Sequence, residues 1–140
     1  MSTINSTKSI LIVTQYFWPE NFRINELAKE FKIRGYSVEV LTSIPNYPSG
    51  KVFDDYVSNP EKFRDYSGIK VHRVWQFARN NNKLSLALNY LSFIVSATVY
   101  SFFKLRNKNF DLIFGVQLSP IFSMVPAIFL KKIIKKPLYF

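Results

Sequence analysis

The first apolar run of the chain, Ile10–Thr14 (ILIVT), is short, unbroken and bounded by polar residues. A run of this kind reads as a strand buried on both faces, as in a parallel sheet. The period then changes. Ile24, Leu27, Ala28 and Phe31 fall at i, i+3, i+4 and i+7, the stripe of an amphipathic helix. Glu30 and Arg34 form an i,i+4 pair in the favourable order, and Gly35 stands where a left-handed C-terminal cap belongs. YSVEVLTS then predicts a second strand and completes a βαβ unit.

Between Ile44 and Gly68 the periodicity stops. The prolines, asparagine and glycine of IPNYPSGKVFDDY predict a loop, and a loop this long in a compact domain is usually functional or mobile. GIKVHRVW predicts a strand with Ile69, Val71 and Trp75 on one side. ARNNNK reads as a turn, Leu84–Phe103 as a long apolar helix, and FDLIFGV as another strand. SPIFSMVPAIFLKKIIKK reads as a last helix, with Pro120 near its start, a kink at Pro126 and Pro137 closing it. LYF opens a final strand. The order β-α-β-loop-β-α-β-α-β predicts an α/β fold, a Rossmann-like parallel sheet with helices on both faces, in a single domain over residues 1–140. An end on the first residues of a core strand gives the expectation of a truncated chain.

Composition narrows the chemistry. The absence of cysteine excludes disulfides and thiolate metal sites, and a single histidine, His72, excludes a histidine-rich one, so no metal and no cofactor are expected. His72 lies within a strand and reads as structural. Asp54 and Asp55 read as a solvated loop pair. The N-terminus MSTINSTKS is polar and the run behind it is too short for a signal-peptide core, which points to the cytoplasm.

The net charge is +10, and its placement matters more than its size. Acids and bases cancel from Met1 to Tyr66; beyond Tyr66 the only acid is Asp111. The excess positive charge therefore surrounds the two most apolar segments, a pattern that suits an anionic membrane face. Nucleic acid is disfavoured as a partner, because the lysines cluster at segment ends and not along one recognition element.

Leu84–Phe103 is free of charge and about as long as a bilayer core is thick. Ser85, Asn89, Ser92 and Ser96 nevertheless form one small polar stripe along it. Three readings stand: a core helix with an exposed apolar edge, an in-plane membrane contact, and a true span. KKIIKK is either a solvated helix end or a patch for lipid headgroups.

In an open parallel sheet, ligands bind beyond the carboxyl ends of the strands. The loops expected there are Gln15–Arg23, Ser43–Lys51, Gln76–Lys83 and Gln117–Pro120. No G-x-G-x-x-G follows the first strand, so a dinucleotide cradle is not expected at that turn. A helix N-terminus with Arg23 beside it can receive a phosphate or carboxylate, and Phe17, Trp18 and Phe22 can shield it; alternatively those rings wedge the helix against the sheet. Asn46 and Tyr47, held between prolines, suit sugar recognition or form an ordinary surface excursion.

The stretches ILIVTQYFWPENFRINELAKEFKIRGYSVEVLTSIPNYPSGKVFDDY, GIKVHRVW and FDLIFGVQLSP resemble the N-terminal domain of a retaining GT-B glycosyltransferase of the family-4 type used in bacterial O-antigen and capsule synthesis. The resemblance implies an acceptor-binding half of a nucleotide-sugar-dependent transferase, membrane-associated at the inner face of the cell membrane, with a lipid-linked sugar as acceptor. It implies a nucleotide-sugar donor held by a C-terminal domain absent from this chain. By position it implies acceptor or phosphate contacts for Pro19, Glu20, Asn21, Phe22 and Arg23, for Asn46, Tyr47 and Pro48, and for Gln117, Ser119 and Pro120. Catalytic residues are not assigned. The family's E-x7-E motif is missing, since no two glutamates are eight apart, and the chain alone is expected to be inactive. Two other classes fit the sequence: a non-catalytic partner subunit that completes a cleft with another chain, and a small membrane-spanning protein.

Overall fold

The computed structural model describes residues 7–116 and 121–140. β1 (Ser9–Thr14), β2 (Ser37–Ser43), β4 (Ile69–Val74), β5 (Leu112–Val116) and β6 (Leu138–Tyr139) run parallel, and the short β3 (Asp65–Tyr66) pairs antiparallel with β4. The spatial order is β3-β4-β2-β1-β5-β6, so the direction of winding reverses between β1 and β5. The α/β class read from the sequence is the observed one.

Alternation within the strands splits the core in two. Ile10, Ile12, Val38, Val40, Ile69 and Val71 face α1 (Arg23–Ile33), whose Ile24 and Ala28 pack against them. Leu11, Val13, Leu41 and Val74 face the other way, onto Phe93 and Ala97 of α3 (Lys83–Tyr100) and Ala127 and Leu130 of α4 (Val125–Ile134). Gly35 takes φ +88° just past α1, and Tyr36 N–H donates to the Phe31 carbonyl at 3.1 Å, which closes the helix end.

Three local expectations are corrected. The stretch from Ile44 to Gly68 is not all loop: it holds α2 (Asp54–Ser58), a 3-10 turn at Pro60–Arg64 and β3. The last helix is not continuous with a kink. A 3-10 turn covers Ile121–Met124 and α4 begins at Val125, so Pro126 sits in a first turn, where its missing N–H removes no hydrogen bond. Trp75 does not share a side with Ile69 and Val71. β4 ends at Val74, and Trp75 turns to the α3 side beside Val95 and Val99.

α3 packs against the sheet with the first half of its polar stripe inward and with Ser92 and Ser96 half-buried. Ser85 and Asn89 are buried along with Phe93, Ala97 and Ser101, while Leu84, Leu88, Leu91, Val95 and Val99 are exposed. The helix ends in a π turn, Ser101–Leu105, where Arg106 N–H reaches back to the Ser101 carbonyl at 3.0 Å.

Candidate functional site

Parallel pairing brings Thr14, Ser43, Val74 and Val116 to one edge of the sheet. The first two are joined directly beyond their ends. The Gln15 carbonyl accepts from Thr42 Oγ1 at 3.1 Å and from Ser43 Oγ at 2.6 Å.

The turn after β1 is fastened through Glu20. Its carboxylate is buried and accepts three backbone N–H groups: Phe17 at 3.2 Å, Asn46 at 2.9 Å and Tyr47 at 2.8 Å. Burial pushes its carboxyl up to about 7, against the pull of those N–H groups and of Arg73. Asn25 binds the same turn from α1, accepting from Trp18 N–H at 2.9 Å and donating to the Glu20 carbonyl at 2.7 Å. Arg73 of β4 donates to the carbonyls of Phe63, Ser43 and Trp18, and burial lowers its guanidinium to about 10. Glu20 and Arg73 thus hold two loops in place with groups turned into the protein.

Beside this clamp lies an aromatic group in which Tyr47 is exposed, Phe22 half-buried and Tyr16 buried. Tyr16 and Phe22 stack at 5.6 Å between ring centroids, and Tyr47 lies 5.4 Å from the first and 5.2 Å from the second. Behind the rings is a chain of amides. Gln15 Nε2 donates to Asn89 Oδ1 at 2.9 Å and to Gln76 Oε1 at 3.2 Å, Tyr16 Oη donates to Asn89 Oδ1 at 3.3 Å, and Asn89 Nδ2 donates to the Phe77 carbonyl at 2.6 Å. Burial pushes the Tyr16 phenol up to about 12; Tyr90 adds to the rise and Arg79 opposes it. Both amide atoms of Asn46 and the Nε2 of Gln76 are buried without a hydrogen-bond partner among the described residues.

Of the residues read from the sequence, Glu20 and Asn46 are buried, Pro19 and Phe22 are half-buried, and Asn21, Arg23, Tyr47 and Pro48 are exposed. Phe22 and Tyr47 meet in the aromatic group. Arg23 lies apart, lining a shallow cavity of about 350 Å³ with Leu27, Phe114 and Phe140. Gln117, Ser119 and Pro120 lie outside the described residues. Sequence reasoning places Gln15, Tyr16, Gln76 and Arg79 in carboxyl-edge loops and Asn89 in the polar stripe of the long helix, without a role for any of them. Asn89 left a signal, being an amide in a charge-free helix one turn from Ser85, but the side to which it points is a tertiary fact.

The arrangement can pack the face of a ring and offer amide hydrogen bonds. Among the described residues no group of acids and histidines is placed to hold a metal ion.

No family model matches the chain, and no curated protein matches it. Two solved structures share its fold, both of the C-terminal domain of a hydrogenase from Pyrococcus furiosus. One, residues 78–226 of that protein, is 15% identical over 94% of this chain and 89% of its own, with a TM-score of 0.55. The other, residues 83–215, is 17% identical over 99% and 95%, with a TM-score of 0.56. At this identity the likeness speaks for the fold alone. The resemblance to GT-B glycosyltransferases of the O-antigen and capsule type is corrected by these findings: the solved structures that match are of a hydrogenase domain, not of a glycosyltransferase. The physical reason is local. The stretches that carried the resemblance are accounted for by their mutual packing, with Glu20 of one holding Asn46 and Tyr47 of the other.

Proposed function

We propose that this chain is a binding lobe that rests on an anionic membrane and offers the carboxyl edge of its sheet to a lipid-linked sugar, completing a cleft with another domain or chain that supplies the chemistry. The observation that carries this reading is the direction of α3, which turns Ser85 and Asn89 to the protein and its apolar stripe outward, with Leu91 57% and Val95 61% exposed. Ile121 and Phe122 of the preceding 3-10 turn, and Val125 and Ile128 of α4, are exposed apolar residues as well. Lys83, Lys104 and Arg106 stand at the two ends of α3, and Lys131 and Lys132 in the last turn of α4. Apolar burial contributes about 25 cal/mol per Å², and each basic residue near an anionic surface adds about 1 kcal/mol. At the carboxyl edge, the exposed Tyr47, with the half-buried Phe22 beside it, suits the apolar face of a sugar ring.

Sedimentation with vesicles tests the reading. The chain should pellet with vesicles of phosphatidylglycerol and phosphatidylcholine, and not with phosphatidylcholine alone. High salt and the double variant L91K/V95K should each release it. Equal pelleting with both vesicle types, or a variant that pellets like the parent, would overturn the proposal. An alkaline carbonate wash should strip the bound chain, whereas a spanning chain would remain.

A further inference from the structure

A second cavity lies between the Lys70–Arg73 stretch of β4 and the end of α3. It measures about 470 Å³, and Arg64, Lys70, Arg73, Lys104 and Lys108 stand around His72 in its wall. These cations differ in what they have left to give. Lys108 is bound to both oxygens of Glu39, at 2.9 and 2.7 Å, and Arg64 pairs with Glu61 at 3.2 Å. Arg73 directs its donors to carbonyls. His72 is tied to Glu39 at 2.5 Å and to the Tyr100 hydroxyl at 2.9 Å. Lys70 and Lys104 have no ion-pair partner among the described residues. Glu39, behind His72, is shared between Lys108 and His72, so it does not balance the wall.

This cationic cavity continues into an apolar one. A groove of about 530 Å³ shares Arg73, Tyr100 and Lys104 with it and runs on between Trp75, Val95, Val99 and Phe103. Lys104 belongs to the π turn at the end of α3, where the two cavities meet. Trp75 is 60% exposed along this groove. A cationic pocket by itself takes any small anion, and an apolar groove by itself takes any hydrocarbon. Joined end to end, they complement a molecule that is anionic at one end and apolar along the rest.

We infer that the two cavities form one site for a phosphate-headed lipid, with the phosphate on Lys70 and Lys104 and the hydrocarbon chain along Trp75, Val95, Val99 and Phe103. The site goes beyond docking on a bilayer, because a single dissolved lipid can fill it. It is also distinct from the aromatic group at the carboxyl edge.

Trp75 supplies the readout. The chain has two tryptophans, so W18F leaves Trp75 as the sole reporter. Titration with dihexanoyl phosphatidic acid, below the concentration at which it forms micelles, should give a saturable blue shift. Inorganic phosphate and dihexanoyl phosphatidylcholine should each bind at least about tenfold more weakly, as should the variants K70Q/K104Q and V99D titrated with the acid. Calorimetry on the parent chain makes the same comparison of ligands should W18F fail to fold. Absence of saturable binding, equal binding of phosphate or phosphatidylcholine, or either variant binding like the parent overturns the site. Failure here leaves vesicle docking untouched, and failure of vesicle docking leaves this titration readable.

Discussion

Glu20 accepts the backbone N–H of Tyr47 at 2.8 Å, and through that bond the turn after β1 is fixed to the turn after β2. The buried carboxylate takes the place of a glycine cradle at the first turn. It orders two loops from within and leaves the Tyr47 ring exposed.

A pH dependence follows from Glu20. Burial raises its carboxyl from 4.5 to about 7. In the folded state it therefore holds a proton that the unfolded chain has released, and its contribution to stability falls as pH rises from about 4.5 to about 7. E20Q has no titrating group at this position. The melting temperature of the parent should fall relative to that of E20Q as pH rises across that window; parallel curves would show that Glu20 does not titrate there.

The two faces of α3 should respond oppositely to truncation. Phe93 is fully buried in the core that joins the sheet to α3 and α4. F93A should cost about 3–5 kcal/mol in urea unfolding. V95A, two positions along on the exposed stripe, should stay within about 0.5 kcal/mol. A similar cost for both would mean that the outward stripe is covered by protein.

Gly50 and Gly35 both take positive φ, +79° and +88°. A side chain at Gly35 meets open space, whereas a Cβ at Gly50 would collide with the Arg79 carbonyl. G35A should cost about 1 kcal/mol, and G50A more than that, because it also separates two carboxyl-edge loops. Chemical denaturation of the two variants side by side measures the difference.

Asn89 accepts from Gln15 and Tyr16 and donates to Phe77. N89L keeps the branched shape of the side chain but leaves these groups short of partners, at a cost of about 1–3 kcal/mol. Thermal unfolding checks it, and an unchanged melting temperature would show that the amide chain does not hold α3 to the carboxyl edge.

What was legible in the sequence was whatever a few neighbouring residues decide. Ile10–Val13, the Ile24–Phe31 stripe and Gly35 announce a strand, a helix and a cap, because period and backbone freedom are local. The β3–β4 hairpin was not legible, since Tyr66 gains its place from pairing with Ile69 and from packing on Phe17 and Trp18. Nor was the direction of Ser85 and Asn89, whose period marks a stripe without saying which side is protein. At the candidate site, the aromatic residues Phe22 and Tyr47 were found from loop position. The resemblance assigns Glu20 an acceptor or phosphate contact, and nothing in its neighbours reveals that Asn46 and Tyr47 fold over it.

Ser9 and Asp111 stand 102 positions apart, yet Ser9 N–H is bonded to the Asp111 carboxylate at 2.8 Å and Asp111 N–H to the Ser9 carbonyl at 2.8 Å. The central strand of the sheet thus receives its second neighbour only after a further 102 positions of chain have been made. Until then the long helix has emerged without the finished platform on which its buried side lies. A nascent chain arrested shortly before Asp111 should accordingly be sensitive to protease and sought by trigger-type chaperones, and both traits should disappear once β5 has cleared the exit tunnel.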